Sequence, residues 1–414
     1  MKKIIEIIAP FIFVLLIFFS CTKKEALKGP TSPIVSPTGT VIPTTTPVNE
    51  WPTKIYVSSN YSQFKQVIQT SDGGFALIGD ISGPQTNDVD VWFLKTDSFG
   101  NEQWSKILGD YSYDEGYSII QTTDNNYIIG YNLNYMGFIM KADADGDCVW
   151  TRAYELGSWN YFEDICSIIS VSNGYALYGS IHDDYSQQFL FLLTDFNGNC
   201  INVKSYGGSG WESPIQMIKT SNNNFLLCGD TNSFGSGYDD FYIIKIDYYG
   251  NFLWQNAYGS VADDSAYSIV ETDDGIIIVG DTYTPDSSKI LLMKVDSSGS
   301  EITRKIIGEE LSMDYGKKII SAGDGNYIVG CGSYSLINGT LYSNLTIMKI
   351  DKNLNILWQK KYIPPENNII NPYYIDICKT LDNCFVIAGG IANSPEFLAK
   401  GFMMKIDSAG NKIW

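Results

Sequence analysis

Three closely spaced aspartates form the part of the sequence nearest in type to a metal site. Asp143, Asp145 and Asp147 surround Gly146 in the order D-x-D-G-D, and carboxylate oxygens at such spacing are the ligands of calcium loops. A calcium loop of this kind also requires a glutamate at its twelfth position, where this sequence has Tyr154. Because an aspartate and a glycine with the spacing of Asp143 and Gly146 recur at turns elsewhere in the chain, we expect a turn here and no bound metal.

Side chains for acid–base and nucleophilic chemistry are scarce. The chain has one histidine, His182, and two arginines, Arg152 and Arg304. Histidine is the most frequent general base and a common zinc ligand. We place His182 in a loop after a second strand, where a solvated side chain is expected rather than a metal ligand. The sequence therefore predicts no catalytic residues and no cofactor.

Carboxylates, in contrast, are abundant. The chain carries 46 acidic and 28 basic residues, with a formal net charge of −18. Two carboxylates at a suitable separation are enough for glycoside hydrolysis, but so many acidic residues form pairs by chance, and no pair is singled out. The acidic balance argues against nucleic acid and an anionic membrane surface as partners, because both bind basic faces. It favours solubility and the binding of cations or basic partners.

A ten-residue phrase recurs along the chain and supplies the elements that would position any site. It reads KTDSFGNEQW at 95–104, KIDYYGNFLW at 245–254 and KIDSAGNKIW at 405–414. Its aspartate recurs seven times, at intervals of 46 to 56 residues, which is typical of a repeat architecture. The four copies that keep all three recurring residues contain Asp97, Gly100 and Trp104; Asp143, Gly146 and Trp150; Asp247, Gly250 and Trp254; and Asp407, Gly410 and Trp414.

Each recurring residue has a structural explanation. The aspartate side chain can cap backbone N–H groups of a type I turn, and the glycine suits the left-handed position that follows. We expect the tryptophan to pack between neighbouring sheets. Asn202 and Thr303 replace it in two copies without loss of the repeat, which favours a packing role over a catalytic one.

Each repeat contains four short runs rich in β-branched and aromatic residues. In the fourth repeat they read IQMIKT, FLLCGD, FYIIKID and NFLWQNAYG, and their length and composition favour strands. The third run is apolar at nearly every position, so burial on both faces is expected. The sequence thus predicts an all-β fold, a seven-bladed β-propeller of four-stranded antiparallel blades. We expect residues 51–56 to complete the last blade and close the ring.

The N-terminus is typical of a targeting segment. Lys2 and Lys3 precede an apolar run of thirteen residues at 7–19, which is too short for a typical membrane span. Ser20 and Cys21 follow, in an order that resembles a bacterial lipoprotein signal. That resemblance implies cleavage before Cys21 and attachment of lipid to it. An ordinary signal peptide and an uncleaved anchor are the alternatives.

The segment after Cys21 differs in composition from the rest of the chain. Residues 22–50 are rich in Pro and Thr and nearly free of large apolar side chains, so they should form an extended tether. The expected organisation is a signal peptide at 1–20, a tether at 21–50 and the propeller at 51–414.

Seven cysteines follow Cys21, at positions 148, 166, 200, 228, 331, 378 and 384. Most of them fall at strand positions, so buried free thiols are expected. Cys378 and Cys384 flank one hairpin turn and could pair.

The repeats resemble those of a widespread group of secreted bacterial propeller proteins, which carry Y-G-G, D-G-G-[FY] and K-x-D-x-x-G-N-x-x-W. The resemblance covers residues 51–414 and implies the propeller fold; most members of that group have no assigned activity. The decamer is also similar to the Asp box of sialidases and related glycoside hydrolases. There the glycine lies two and the tryptophan five residues after the aspartate, against three and seven here.

Two further comparisons bear on activity. The decamer is distantly similar to the repeats of quinoprotein dehydrogenases and of the outer-membrane assembly lipoprotein, whose spacings are longer by one. A sialidase needs three arginines around a carboxylate, and this chain has two. The resemblances therefore indicate the fold and leave the activity open.

Loops that differ from blade to blade are expected to share one face of the ring. They join second to third strands and fourth strands to the next blade, as in DISGPQTNDVD at 80–90, ELGSWNYFED at 155–164 and GSYSLINGTLYSN at 332–344. Variable loops on a rigid scaffold commonly carry binding. The candidate ligand-binding residues here are Trp159, Tyr161, Trp211, Asp239 and Asp240. Exposed aromatic side chains beside polar groups suit a glycan or a peptide; covering the rim of the ring is the alternative.

The first functional hypothesis is a monomeric, lipid-anchored propeller of the cell envelope that binds or scaffolds a protein or glycan. Its partners would be the membrane, through the lipid on Cys21, and an unidentified protein or glycan. A carbohydrate-active enzyme that uses loop carboxylates and an outer-membrane assembly lipoprotein are the alternatives. Exposure to the periplasm or to the cell exterior are both compatible with the sequence.

Overall fold

The computed structural model describes most of the chain from Lys54 onward and one short segment before it. The described residues are 47–48, 54–56, 61–82, 88–109, 113–134, 136–154, 162–182, 186–284, 287–309, 312–337, 340–364, 368–393 and 398–414. The predicted signal peptide, Cys21 and most of the tether lie outside them, as do Trp159 and Tyr161. The chain divides into two units, Met1–Ile42 and Pro43–Trp414, and the first lies wholly outside the described residues.

Seven antiparallel sheets form the blades of a β-propeller, which confirms the predicted fold. The strands of blades 1 to 6 lie in chain order, first to fourth, and no helix occurs in the described ranges. Blades 1 to 3 contain Ser62–Gln69, Phe75–Ser82, Val89–Thr96 and Glu102–Leu108; Asp114–Gln121, Tyr127–Leu133, Met136–Ala142 and Cys148–Ala153; and Phe162–Val171, Gly174–His182, Gln187–Thr194 and Cys200–Tyr206.

The remaining blades have the same plan. Blades 4 to 6 contain Glu212–Lys219, Phe225–Thr231, Asp240–Ile246 and Phe252–Tyr258; Asp264–Thr272, Gly275–Thr284, Ser287–Val295 and Glu301–Ile307; and Ser312–Ser321, Tyr327–Ile337, Thr340–Ile350 and Ile356–Tyr362. Blade 7 contains Asn368–Lys379, Phe385–Asn393, Leu398–Ile406 and, from the other end of the chain, Lys54–Tyr56.

Burial explains the position of each strand in its blade. Third strands are buried on both faces: in Val89–Thr96 every residue except Asp90 is buried. First strands of neighbouring blades contact one another and therefore line the axis of the ring. Fourth strands form the outer edge, where exposed and half-buried residues alternate, as in Glu102–Leu108.

The hydrophobic core lies between blades. One cluster joins Phe93 and neighbouring residues of blade 1 to Tyr127 and Met140 of blade 2, and six similar clusters join the other adjacent pairs around the ring. Because each blade buries both of its faces against neighbours, no blade has an independent core.

Both ends of the propeller segment build the outer strand of blade 7. Lys54 and Tyr56 pair antiparallel with Met403 and Gly401. Trp414 continues the same edge, since its carbonyl accepts a hydrogen bond from Lys405 N at 2.9 Å. The expected closure by residues near 51–56 is therefore confirmed.

A short segment of the predicted tether also belongs to a blade. Pro47 and Val48 pair in parallel with Lys361 and Tyr362, which adds a fifth strand to the outer edge of blade 6. An extended, Pro-rich chain at a sheet edge can form such a pairing because one side of its backbone stays free of the ladder.

A belt of polar side chains ties the first strands together around the axis. Every first strand contains a bulge. Near each bulge, one polar side chain forms a hydrogen bond or ion pair with an adjacent blade. Gln66 Oε1 accepts a hydrogen bond from Ile119 N at 2.6 Å, and Asp376 Oδ2 accepts one from Val67 N at 2.9 Å, which closes the circle. The seven belt residues are Gln66, Ser118, Ser167, Gln216, Ser268, Lys318 and Asp376.

Candidate functional site

The aspartates of the decamer close seven separate turns. In blade 1, Asp97 Oδ1 accepts hydrogen bonds from Phe99 N and Asn101 N, both at 2.8 Å, and Gly100 has φ 73°. The same pair of hydrogen bonds forms at Asp143, Asp195, Asp247, Asp296, Asp351 and Asp407. Hydrogen bonds from the side chain and backbone of Asn199 lower the pKa of Asp195. Each aspartate thus serves its own blade, and the seven do not share a cavity.

The tryptophans of the decamer pack on the glycine of the next blade. A Cβ atom on Gly146 would lie 2.8 Å from the Trp104 ring, so this position needs glycine for close approach as well as for its φ of 80°. The same contact joins Trp150 to Gly198, Trp254 to Gly299, Trp358 to Gly410 and Trp414 to Gly100.

A tyrosine that was not predicted from the sequence accompanies this contact. Tyr258 Oη donates to the Gly299 carbonyl at 2.6 Å. Tyr56 donates to the Gly100 carbonyl at 2.7 Å, so the N-terminal strand supplies this residue for blade 7. The spacing W-x-x-x-Y at 150–154, 254–258 and 358–362 is the signal that could have found it.

The lysine that begins the decamer is also an internal partner. Lys294 Nζ lies 2.8 Å from Asp274, an aspartate in the first turn of the same blade. The hydrogen bond from Lys294 lowers the pKa of Asp274 to about 2. Equivalent pairs are Lys95 with Asp72, Lys141 with Asp124, Lys349 with Asp324 and Lys405 with Asp382.

The two ends of the ring differ in their connections. One end, the turn face, carries the turns between first and second and between third and fourth strands. The other end, the variable face, carries the remaining connections. The segment 332–344, expected to be a loop of the variable face, is mostly strand, because Tyr327–Ile337 and Thr340–Ile350 form one long hairpin.

The described candidate residues of the variable face have unequal exposure. Trp211 is 46% exposed. Asp240 is buried, and its Oδ2 accepts hydrogen bonds from Ser236 N and Gly237 N. Asp239 is half-buried, and burial together with Asp263 and Asp240 raises its pKa. Trp211 and Asp239 remain available to a ligand, whereas one oxygen of Asp240 is committed to the local backbone.

His182 was expected in a loop but is the last residue of the second strand of blade 3. Its Nε2 is 2.7 Å from Glu163 Oε1. The strand extends to His182 because its pairing with Gln187 continues the hairpin ladder. The expected loop position was therefore wrong, whereas the side chain is 41% exposed, in agreement with the expected solvation, and is also paired with Glu163.

The cysteines past residue 147 are free thiols of mixed exposure. Cys228 and Cys331 are buried, but Cys148 and Cys200 are exposed, because both lie on outer fourth strands. Cys378 and Cys384 are not joined. The expectation of buried thiols fails for fourth strands, whose outward positions face water.

Two buried lysines near the axis were not singled out from the sequence. Lys65 and Lys317 occupy equivalent bulges in the first strands of blades 1 and 6. Their partners come from other strands and other blades, so spacing along the chain gives no signal for them.

Lys65 is held by two carboxylates. Its Nζ lies 3.1 Å from Asp80 Oδ2 and 3.0 Å from Glu115 Oε1, with the ring centre of Tyr117 at 4.2 Å. Burial alone would lower the pKa of Lys65, but attraction by Asp80 and Glu115 raises it well above its ordinary value. Lys65 is therefore a permanently charged group under ordinary conditions.

Lys317 has one carboxylate partner, at a longer distance. Its Nζ lies 3.5 Å from Asp281 Oδ1 and 3.0 Å from the centre of the Tyr267 ring. Burial lowers the pKa of Lys317 to about 8 and raises that of Asp281 to about 6. Perturbed groups of this kind are concentrated at functional sites, although structural ion pairs also produce them.

Two searches among the described residues gave no positive result. No group of three or more His, Cys, Asp or Glu side chains there is arranged to hold a metal ion. That part of the chain also contains no helix with the length and apolar character needed to cross a membrane.

Comparisons with known proteins agree with the fold. No known family model matches the chain. A stretch of 100 residues is 43% identical to an uncharacterized WD repeat-containing protein of Acanthamoeba polyphaga mimivirus; it covers 22% of this chain and 7% of the viral protein. The chain therefore spans a small fraction of that relative.

Solved structures that are similar to this chain include β-propeller proteins. Puromycin hydrolase matches with a TM-score of 0.55 at 10% identity, over 89% of this chain and 56% of that enzyme. The NanB sialidase from Streptococcus pneumoniae matches with 0.48 at 12% identity, over 87% and 71%. The β-propeller domain of the Trilobed protease from Pyrococcus furiosus matches with 0.47 at 10% identity, over 86% and 97%. At such identities the likeness concerns the fold alone.

Proposed function

We propose that this protein is a lipid-anchored, extracytoplasmic binding propeller that engages a protein or glycan partner through its variable face. The observation that carries the proposal is a patch of exposed apolar side chains on three neighbouring loops. Trp211 is 46%, Tyr238 81% and Val261 84% exposed. Large apolar side chains grouped on one face of a monomer mark binding surfaces, and aromatic residues dominate binding energy at interfaces.

The loops that present this patch are tied to one another. Trp211 N donates to Asn232 Oδ1 at 2.7 Å, and Asn232 N donates back to the Trp211 carbonyl at 3.1 Å. Asp264 N donates to the Asp239 carbonyl at 2.8 Å. A surface fixed in this way loses little conformational entropy on binding.

Charge beside the patch favours a partner with basic groups. Burial and the neighbouring carboxylates of Asp263 and Asp240 raise the pKa of Asp239, so an added cation there would relieve repulsion. The net charge of −18 acts in the same direction over a longer range. A protein segment with apolar and basic side chains fits best, and a glycan that stacks on Trp211 is the second outcome of the test.

The proposed anchoring rests on the sequence order Ser20–Cys21 after an apolar run. Mass spectrometry of the N-terminal peptide from cells is expected to find diacylglyceryl on Cys21. Cys21→Ser should release the protein from the membrane fraction. An unmodified Cys21, or a membrane-bound Cys21→Ser variant, would reject lipid anchoring without affecting the proposed binding surface.

Site-specific photo-crosslinking tests the binding surface in the full-length chain. A crosslinker at Tyr238 is expected to capture one partner in cells, and the same group at Tyr249, which is 64% exposed on the turn face, serves as the control. The purified partner should bind the wild type and lose about tenfold affinity for Trp211→Ala. Equal capture from both faces, or unchanged affinity of Trp211→Ala, would refute the assignment of the variable face.

A further inference from the structure

A polar groove opens on the turn face between blades 1 and 2, at the end of the ring opposite the variable face. It encloses about 580 Å³. Its walls come from the first turn and fourth strand of blade 1 and from both turns of blade 2. The lining includes Gln103, Trp104, Gln121, Asn125, Ala144 and Asp145.

The groove is open because Ala144 is small. The equivalent residue of blade 3 is Phe196, whose ring packs at 5.8 Å from that of Tyr175. In blade 4 the equivalent is Tyr248, whose hydroxyl lies 3.1 Å from Ser172 Oγ of the preceding blade. Ala144 has no side chain that could span this distance.

Small residues also occur at this position in blades 1, 5 and 7, but those grooves lack the polar wall. Gln103 precedes the tryptophan of blade 1. The same position carries an apolar residue in each of the other six repeats: Val149, Ile201, Leu253, Ile302, Leu357 and Ile413. A polar residue at this one position is therefore a departure from the repeat that the scaffold does not require.

Three side-chain amide groups in the groove each turn the carbonyl oxygen towards a donor of the protein. Gln103 Oε1 accepts a hydrogen bond from Lys95 Nζ at 3.0 Å, Gln121 Oε1 one from Ser71 N at 2.7 Å, and Asn125 Oδ1 one from Ser71 Oγ at 2.7 Å. With each carbonyl oxygen engaged by the protein, each NH₂ group is left as a donor. None of the three NH₂ groups has a hydrogen-bond partner among the described residues.

Acceptors and an aromatic surface complete the groove. Asp145 is exposed on the opposite wall, and the half-buried ring of Trp104 lies between the walls, held edge-to-face by Phe93 at 4.7 Å. Amide donors and a carboxylate acceptor match the paired hydroxyl groups of a sugar, and an aromatic ring packs against its C–H face. Asp72, Asp145 and Lys95 leave a net negative charge, which disfavours an anionic ligand.

We propose that this groove binds a neutral saccharide, with Gln103 as the residue that determines specificity. Gln121 also serves the contact between blades, because Gln69 Oε1 accepts the equivalent hydrogen bond from Leu381 N at 2.7 Å at the junction of blades 7 and 1. Gln103 has no such counterpart. The site is independent of the proposed variable-face function, since the two lie at opposite ends of the ring.

Saturation-transfer NMR on the full chain tests the proposal. The probes are the methyl glycosides of glucose, galactose, mannose and N-acetylglucosamine, with maltose, cellobiose and chitobiose, and N-acetylneuraminic acid as the anionic comparison. At least one neutral probe is expected to bind, and N-acetylneuraminic acid is not. Binding of the anion alone, or of no probe, would overturn the proposal.

Three variants locate the bound sugar, and two of them are a matched pair of phenylalanine substitutions. Ala144→Phe introduces the residue that blade 3 already carries, so the fold should be kept while the groove is filled; affinity should fall about tenfold or more. Ser408→Phe places phenylalanine at the equivalent position of blade 7 and should leave binding unchanged. Gln103→Leu introduces the residue of blade 4 and should weaken binding about fivefold, the effect of one hydrogen bond. Binding that survives Ala144→Phe, or that both phenylalanine variants weaken equally, would contradict the site.

Discussion

Asp274 lies in the turn before the second strand of blade 5, Gly275–Thr284, and Asp281 lies in the half of that strand nearer the variable face. Their carboxyl groups behave in opposite ways. On the turn face, the hydrogen bond from Lys294 lowers the pKa of Asp274 to about 2. Near the variable face, burial raises the pKa of Asp281 to about 6, and Lys317 at 3.5 Å does not offset it. The same residue type thus favours its charge at one end of the strand and resists it at the other.

This difference separates residues that stabilise the folded ring from residues that destabilise it. A turn aspartate that is easily ionised stabilises the fold under ordinary conditions. A buried, poorly paired ion is retained at a cost in stability, and such a cost at the variable-face end is consistent with a role beyond folding.

The largest expected effect comes from Lys65→Met. The substitution leaves Asp80 and Glu115 buried without their shared cation, and removing one partner of a buried pair costs about 3–5 kcal/mol. Urea unfolding should show this loss in the free energy of unfolding. Lys352→Met, which removes an exposed pair with Asp273, is the control and should change little. A small effect for Lys65→Met would contradict the assigned strength of its pairing.

The second axial pair should respond differently. Lys317→Met is expected to destabilise less than Lys65→Met, because it leaves one buried carboxylate without its cation, whereas Lys65→Met leaves two. The double variant Lys317→Met with Asp281→Asn should be at least as stable as the wild type, since it removes two buried charges. A double variant less stable than either single one would show that the pair stabilises the fold.

The dependence of stability on pH should reverse between the two ends. Asp281 has a folded pKa above its unfolded value, so its contribution is complete below about pH 4 and is lost as pH rises towards 6. Asp274 has a folded pKa of about 2, so its contribution is complete above about pH 4 and is lost as pH falls.

Urea unfolding between pH 2 and 7 checks this reversal. Asp281→Asn should flatten the stability curve between pH 4 and 6, and Asp274→Asn should flatten it below pH 4. The idea fails if the two variants change the curve in the same interval.

The smallest expected effect concerns the tyrosine contact between blades. Tyr258→Phe removes the hydrogen bond to the Gly299 carbonyl and should cost about 1 kcal/mol. Tyr249→Phe removes an exposed hydroxyl and should have no measurable effect on the free energy of unfolding. If both variants unfold at the same denaturant concentration as the wild type, the tyrosine does not help to join the blades.

The fold could be predicted because its determinants repeat within single stretches of sequence. D-x-x-G within the decamer marks a turn, and the apolar third run marks burial on both faces. The contact of Trp104 with Gly146 follows from the same phrase, since one copy supplies the ring and the next copy the glycine. The tyrosine of W-x-x-x-Y was equally visible but has a partner in the next blade, which a single repeat does not show.

The axial groups could not be predicted, because their pairing depends on bulges and on the register between blades. Lys65 and Glu115 are fifty residues apart and meet at 3.0 Å. Lys317 precedes Lys318 in the sequence, yet Lys317 faces Asp281 of blade 5 and Lys318 faces Asp376 of blade 7. His182 was misplaced for a similar reason, since the length of its strand is set by pairing with Gln187.

Carbon-13 NMR titration of the aspartate carboxyl groups tests the central claim most directly. Asp274→Asn and Asp281→Asn would assign the two resonances. Titration of Asp274 near pH 2 and of Asp281 near pH 6 is the expected result. Titration of both carboxyl groups near pH 4 would show that the two ends of the ring do not differ, and would contradict the separation of scaffold from functional surface.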